Sequence, residues 1–188
     1  ESKPGLTLDA VLEKLKPIVE NENNRFCGQN IKYDALVLSR YGIHLGNIVF
    51  DTMIAEYMLH PEKNSYKMDY LSIDYLNYRM VPIDNLIGTG LHQKSMAEVP
   101  LEDIAFYASE DADIAFQLAG ILKNKLEEES LFEPYNDIEI PLIPVLTTIE
   151  KNGVYLNLDF LADLSRQFGE GLEKLTEKIH QMAGREFN

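Results

Sequence analysis

The sequence carries a single cysteine, Cys27. One thiol cannot close an internal disulfide, which excludes a disulfide-stapled secreted scaffold and suits a reducing, cytoplasmic setting. Cys27 lies in the apolar stretch Arg25-Phe26-Cys27-Gly28 and reads as a small buried hydrophobe, not a nucleophile. No apolar run approaches the roughly 20 residues that cross a bilayer, so no membrane partner is expected. The opening stretch ESKPGLTLDAVLEKL lacks a basic start followed by an apolar block and does not read as a secretory signal. It also lacks an initiator Met, and the expectation is an excised segment of a longer protein. Internal repeats and low-complexity tracts are absent as well.

Positive charge is scarce. The formal net charge is −14. Residues 1–100 hold 13 acids and 10 bases, whereas residues 101–188 hold 18 acids and 7 bases. Phosphate binding usually needs a basic face, so the charge alone argues against a nucleic-acid partner. A site that holds cations through carboxylates is locally acidic and still acts on phosphodiesters, because the metal supplies the positive charge. The acidity therefore predicts weak DNA binding by these residues alone. What is present is ample for a soluble core: 188 residues, 45% hydrophobic and 26% charged.

Apolar spacing predicts helices over 8–20, 31–41, 51–60, 67–78, 101–129, 136–151 and 158–183. Short strands are expected at 25–29 and 47–50. Thr7 or Asp9 caps the first helix, Gly42 ends the second, Pro61 closes the third and Pro100 opens the long one. Residues 81–100, with two prolines and two glycines, read as a long mobile loop. A break is expected at Phe132–Pro134, a kink at Pro141 and Pro144, a turn at Asn152-Gly153 and a softening of the last helix at Gly169 and Gly171. Helix and strand alternate first, as in an α/β unit with parallel strands. Two strands make a poor sheet, so further strands are expected upstream.

Two clusters carry chemistry. Gly28-Gln29-Asn30-Ile31-Lys32-Tyr33-Asp34 falls where a strand gives way to a helix, the place where ligands collect in open α/β sheets. Asn30 near the helix start and Asp34 one turn later are expected to face one cleft. Asn30 caps the helix or donates to a phosphate; Asp34 offers hard oxygen to a divalent metal. On spacing alone a helix cap and a solvated acid serve equally. In Tyr107-Ala-Ser-Glu-Asp111-Ala-Asp113, Tyr107 and Asp111 share one helix face. A tyrosine hydroxyl beside a metal-binding carboxylate orients an attacking water; a core tyrosine and a solvated acidic stripe are the plain alternative.

Taken together, the clusters resemble the second and third motifs of DnaQ-like proofreading exonucleases, which have a ribonuclease H-like fold. GQNIKYDALVL and YASEDADIAFQL are similar to those motifs in the family A DNA polymerases of bacteria. IVFDTMIAEYMLHP resembles the stretch between them, and IEIPLIPVLTTIEKNGVYLN resembles the segment where the polymerase part begins. The resemblance runs over nearly all of the chain. It implies an α/β class, a partial ribonuclease H-like 3′→5′ exonuclease fold made predominantly helical by missing first strands, followed by helices of the polymerase junction and thumb. The implied division is 1–133, partial exonuclease, and 134–188, start of the polymerase region.

By the same resemblance Asp34, Tyr107 and Asp111 are catalytic, with Asp34 and Asp111 holding Mg²⁺ or Mn²⁺ and Tyr107 positioning water. Gln29, Asn30 and Tyr33 lie by the 3′ end of a single DNA strand, and Lys32 is a weaker phosphate contact. No chemistry is assigned to Glu110 or Asp113. The family's first motif, an Asp-x-Glu on its first strand, has no match in residues 1–29. The chain is expected to start after it and to be inactive alone. A vestigial scaffold and a stand-alone RNA-trimming exonuclease are the other readings. Unpaired strand edges and the stripe of the last helix predict non-native dimers.

Overall fold

A computed structural model describes residues 7–90 and 93–187. The first unit, Glu1–Lys151, holds the sheet and the core; Asn152–Asn188 form a second compact unit. The position 133/134 falls inside the first unit, within a short helix, Phe132–Pro134.

Helix α1, Leu8–Val19, starts at Thr7, whose hydroxyl accepts the Ala10 N–H at 3.3 Å. Strand β1, Phe26–Gly28, follows, then α2, Ile31–Ser39, and strand β2, Ile48–Asp51. The strands pair in parallel, with Cys27 opposite Phe50 and Gly28 opposite Asp51. Parallel pairing needs a crossover, and α2 supplies it. Among the described residues the sheet has these two strands only, in line with the partial α/β fold expected.

Asp51 ends β2 and opens α3, Thr52–Leu59. Helix α4, Met68–Leu76, stops at Asn77 in the left-handed conformation. The expected loop over 81–100 is in part helical: α5 spans Ile83–Ile87 and a 3₁₀ turn spans Met96–Glu98. Such short pieces carry too few residues for an apolar period to register. Residues 91–92 of that stretch lie outside the described residues.

Helix α6, Leu101–Glu128, is the backbone of the first unit. Ile114, Leu118, Leu122 and Leu126 recur every fourth residue and are buried. This stripe packs on α3, α4 and β1. Full burial of each such leucine is worth about 2 kcal/mol, so α6 fixes the positions of the elements it crosses.

The break expected at Phe132–Pro134 is itself a short helix, α7. The real interruption is Ser130, at φ 58°. A π-helical turn, Tyr135–Glu139, joins α7 to α8, Ile140–Asn152. Pro141 lacks an N–H and Pro144 lies within α8, which suits the looser turn at its start.

In the second unit α9, Leu158–Ala183, runs unbroken through Gly169 and Gly171. Each glycine costs about 1 kcal/mol in a helix interior; the cap by Asn157 and a helix of this length tolerate both. Leu161, Phe168, Leu172, Leu175 and Ile179 are exposed along α9.

Candidate active site

The parallel strands place two acids, by two routes, at their carboxyl ends. Beside β1 lies a cleft of about 450 Å³. Cys27, Gly28 and Gln29 form one side, Asp34 of α2 and Met68 of α4 add two more, and α6 contributes Asp111 with Ala108, Ala112 and Ala115. The alanines recur at helical spacing on the face beside Asp111, so their short side chains leave the space open. At the strand end, a Cβ on Gly28 would meet the Ile31 side chain tightly, at 3.3 Å. The structure thus brings Asp34 and Asp111, far apart in sequence, to one opening.

Both carboxyls are partly desolvated. Burial pushes Asp111 up to about 6, with the charges of Glu110 and Asp69 adding to the rise. Asp34 keeps exposed surface as a residue, but its carboxyl is raised too, first by burial in the crowded cleft and less by Asp51. Asp34's own backbone N–H partly offsets its rise, and among the described residues no other residue donates a hydrogen bond that lowers either carboxyl. Desolvated carboxylates near like charge favour a proton or a cation. The donors, hard oxygens only, fit Mg²⁺ or Mn²⁺ in kind. Among the described residues no group of three or more His, Cys, Asp or Glu side chains gathers to hold an ion.

Tyr107 lies one turn before Asp111. Burial, Asp111, Asp69 and Glu110 all raise its hydroxyl pKa, so it keeps its proton at neutral pH. It lines the adjoining cavity with Val81, Leu86, Pro100 and Phe106, not the Asp34–Asp111 cleft. Asp69, on the first turn of α4, sits close enough to bear on both Tyr107 and Asp111. Sequence reasoning missed it, because only the packing of α4 on α6 places it there.

Asn30 departs from expectation. It is left-handed, at φ 53° and ψ 45°, and its side chain makes no cap bond. Outside the helical phase, it lines a different cavity with Lys32, Asp51 and Tyr57 instead of sharing the cleft with Asp34. The helix start is capped from a distance by Asp51. Its Oδ2 accepts the Ile31 N–H at 2.8 Å, and its Oδ1 accepts those of Asn30, Met53 and Ile54 at 3.3, 2.9 and 3.1 Å. Tyr135 completes the anchor: the Asp51 N–H donates to its hydroxyl at 2.6 Å, and that hydroxyl donates to the Asp51 carbonyl at 3.0 Å.

Gln29 faces the cleft, but its amide is engaged, donating to the Tyr66 carbonyl at 2.7 Å and accepting from the Thr52 hydroxyl. Tyr33 is exposed. Lys32 pairs with Glu150 of α8.

Residues 4–127 match a family model described as 3′-5′ exonuclease of the DNA polymerase A type. DNA polymerase I of Pseudomonas aeruginosa is 37% identical over 97% of this chain and 20% of its own length. That of Treponema pallidum is 33% identical over 96% and 18%, and that of Chloroflexus aurantiacus 35% over 100% and 20%. The chain spans about a fifth of the length of these curated relatives. In fold it is similar to the POL domain of Pol1 from M. smegmatis, solved in complex with DNA primer-template and dNTP. The TM-score is 0.76 at 18% identity, over 98% of this chain and 29% of that one. The chain therefore belongs to the 3′-5′ exonuclease family of the A-type DNA polymerases.

Proposed function

We propose that this chain is part of a bacterial DNA polymerase I and carries two of the three motifs of its proofreading 3′→5′ exonuclease. The reaction is hydrolysis of the terminal phosphodiester of an unpaired 3′ DNA end. Residues 134–188 belong to the start of the polymerase region. One observation carries the reading: Asp34 and Asp111, on separate helices, open onto one cleft at the end of β1.

Asp34 and Asp111 supply hard oxygen donors. A divalent cation bound there would supply the positive charge that promotes ionisation of water and offsets charge on the leaving oxygen. Tyr107, protonated and one turn from Asp111, orients the attacking water. Exposed Tyr33 offers a ring for stacking a terminal base. Gln29 shapes the wall more than it binds, since its amide is already bonded. Asn30 and Lys32 approach the strand from the other side of α2, and Lys32 must leave Glu150 to meet a phosphate.

With two carboxylates present, the 188 residues alone should hydrolyse DNA little. A longer protein that adds an Asp-x-Glu should be active. A pair of carboxylates equally supports a vestigial scaffold, and the longer protein separates the two. The test is digestion of an end-labelled single strand in Mg²⁺ or Mn²⁺ by both. Activity of the longer form that falls by about 10³-fold or more in Asp111→Ala supports the nuclease. No activity in the longer form supports the scaffold. Robust cleavage by the 188 residues, lost in Asp111→Ala, contradicts the two-motif account. Self-association through the exposed stripe of α9 belongs to the same reading, and a clean monomer at high concentration in sedimentation would remove it.

A further inference from the structure

Glu110, the residue before Asp111, is buried and uses its two oxygens separately. The Tyr78 hydroxyl donates to Oε1 at 2.7 Å and the Val81 N–H donates to Oε2 at 2.9 Å. Both donors belong to the short stretch that leaves α4 and leads into α5. A buried carboxylate is costly unless it is well bonded. Here both bonds go to one segment, and that segment starts the far wall of Tyr107's cavity. The cavity, about 350 Å³, runs from Val81 and Leu86 to Val99, Pro100 and Phe106. Phe106 is exposed and borders a second cavity, which Tyr78 and Glu110 line. The exposed ring of Phe106, shared by both cavities, suits the stacking of an unpaired base.

We propose that Glu110 is a positioning residue: it clamps residues 78–81 onto α6, so that the wall beyond them guides a single-stranded end past Phe106 to Tyr107 and Asp111. The proposal rests on the nuclease reading. The role is geometric and uses the carboxylate as an acceptor of two hydrogen bonds.

The test compares the unmodified chain with Glu110→Ala and Glu110→Gln, by amide hydrogen exchange and by binding of a short oligothymidylate in Ca²⁺. Glu110→Ala should speed exchange at Val81 and across 83–87 about tenfold or more and leave Leu118 and Leu122 unchanged. It should also weaken oligothymidylate binding about tenfold, because a loosened wall must be ordered again on binding. Glu110→Gln, whose amide can accept from Val81 and donate to Tyr78, should recover most of both. Loosening of Leu118 and Leu122 as well would mean a merely structural role and overturn the proposal. So would a loosened segment with unchanged binding, or a glutamine variant no better than alanine. Where binding by these acidic residues alone is too weak to measure, the same variants are compared in the longer protein that adds an Asp-x-Glu. Failure of that protein to bind oligothymidylate overturns the nuclease reading first, and the proposal with it.

Discussion

Two strand ends lie side by side, and their acids have opposite fates. At the end of β2, Asp51 is 1% exposed and receives four backbone N–H groups. At the end of β1, Asp34 and Asp111 open onto a cleft and, among the described residues, receive no hydrogen bond from another residue. Burial raises all three carboxyls. Four amide donors of other residues pull the other way at Asp51, only its own N–H does so at Asp34, and Glu110 and Asp69 add to the rise at Asp111. An acid whose acceptors are filled by the fold organises structure. An acid left partly desolvated without donors from the surrounding fold is available to a proton, a cation or a substrate.

The largest effect should come from Asp51. Its removal strands four N–H groups at the starts of α2 and α3. Asp51→Ala should cost about 3 kcal/mol or more in urea unfolding, if the chain folds at all. A loss under about 1 kcal/mol would erase the distinction between the strand ends. Next is Tyr135→Phe, which deletes the hydroxyl that both accepts from and donates to the Asp51 backbone. It should cost about 1–2 kcal/mol.

Asp111 should behave in the opposite sense. A carboxyl whose folded pKa lies above its unfolded value favours the folded chain when protonated. That advantage fades as pH rises from 3.8 through about 6, and above this the ionised group costs stability. Asp111→Asn should therefore stabilise the chain at pH 7, by about 0.5 kcal/mol after solvent screening. The gain should disappear below the unfolded pKa. Thermal unfolding across that range checks both sign and window; a destabilised variant at pH 7 would place Asp111 among the structural acids. The smallest effect belongs to the surface pair: Lys32→Ala should change stability by less than about 0.5 kcal/mol.

The contrast between strand ends was only half legible in the sequence. Tyr107 and Asp111 are four apart, so helical spacing put them one turn apart on α6, although they line different cavities. The long helix was equally plain, because Ile114, Leu118, Leu122 and Leu126 repeat at one period. Asp51, by contrast, reads as an ordinary helix start. Its hold on α2 exists only once β1 and β2 pair in register, with Gly28 opposite Asp51. The same hold explains why Asn30 left the cleft: with the helix capped by Asp51, Asn30 turns left-handed and out of phase with Asp34. Asp69 and the two bonds of Glu110 depend on how α4 meets α6, which no local pattern encodes.

The most direct test is to add Mn²⁺ to the isotope-labelled chain and record which amide signals broaden. The account predicts broadening first at Gly28, Gln29, Asp34, Met68 and Ala112, abolished in Asp34→Asn and in Asp111→Asn. Broadening centred elsewhere on this acidic surface, or undiminished in those variants, would contradict the assignment of the β1 cleft as this chain's share of the nuclease site.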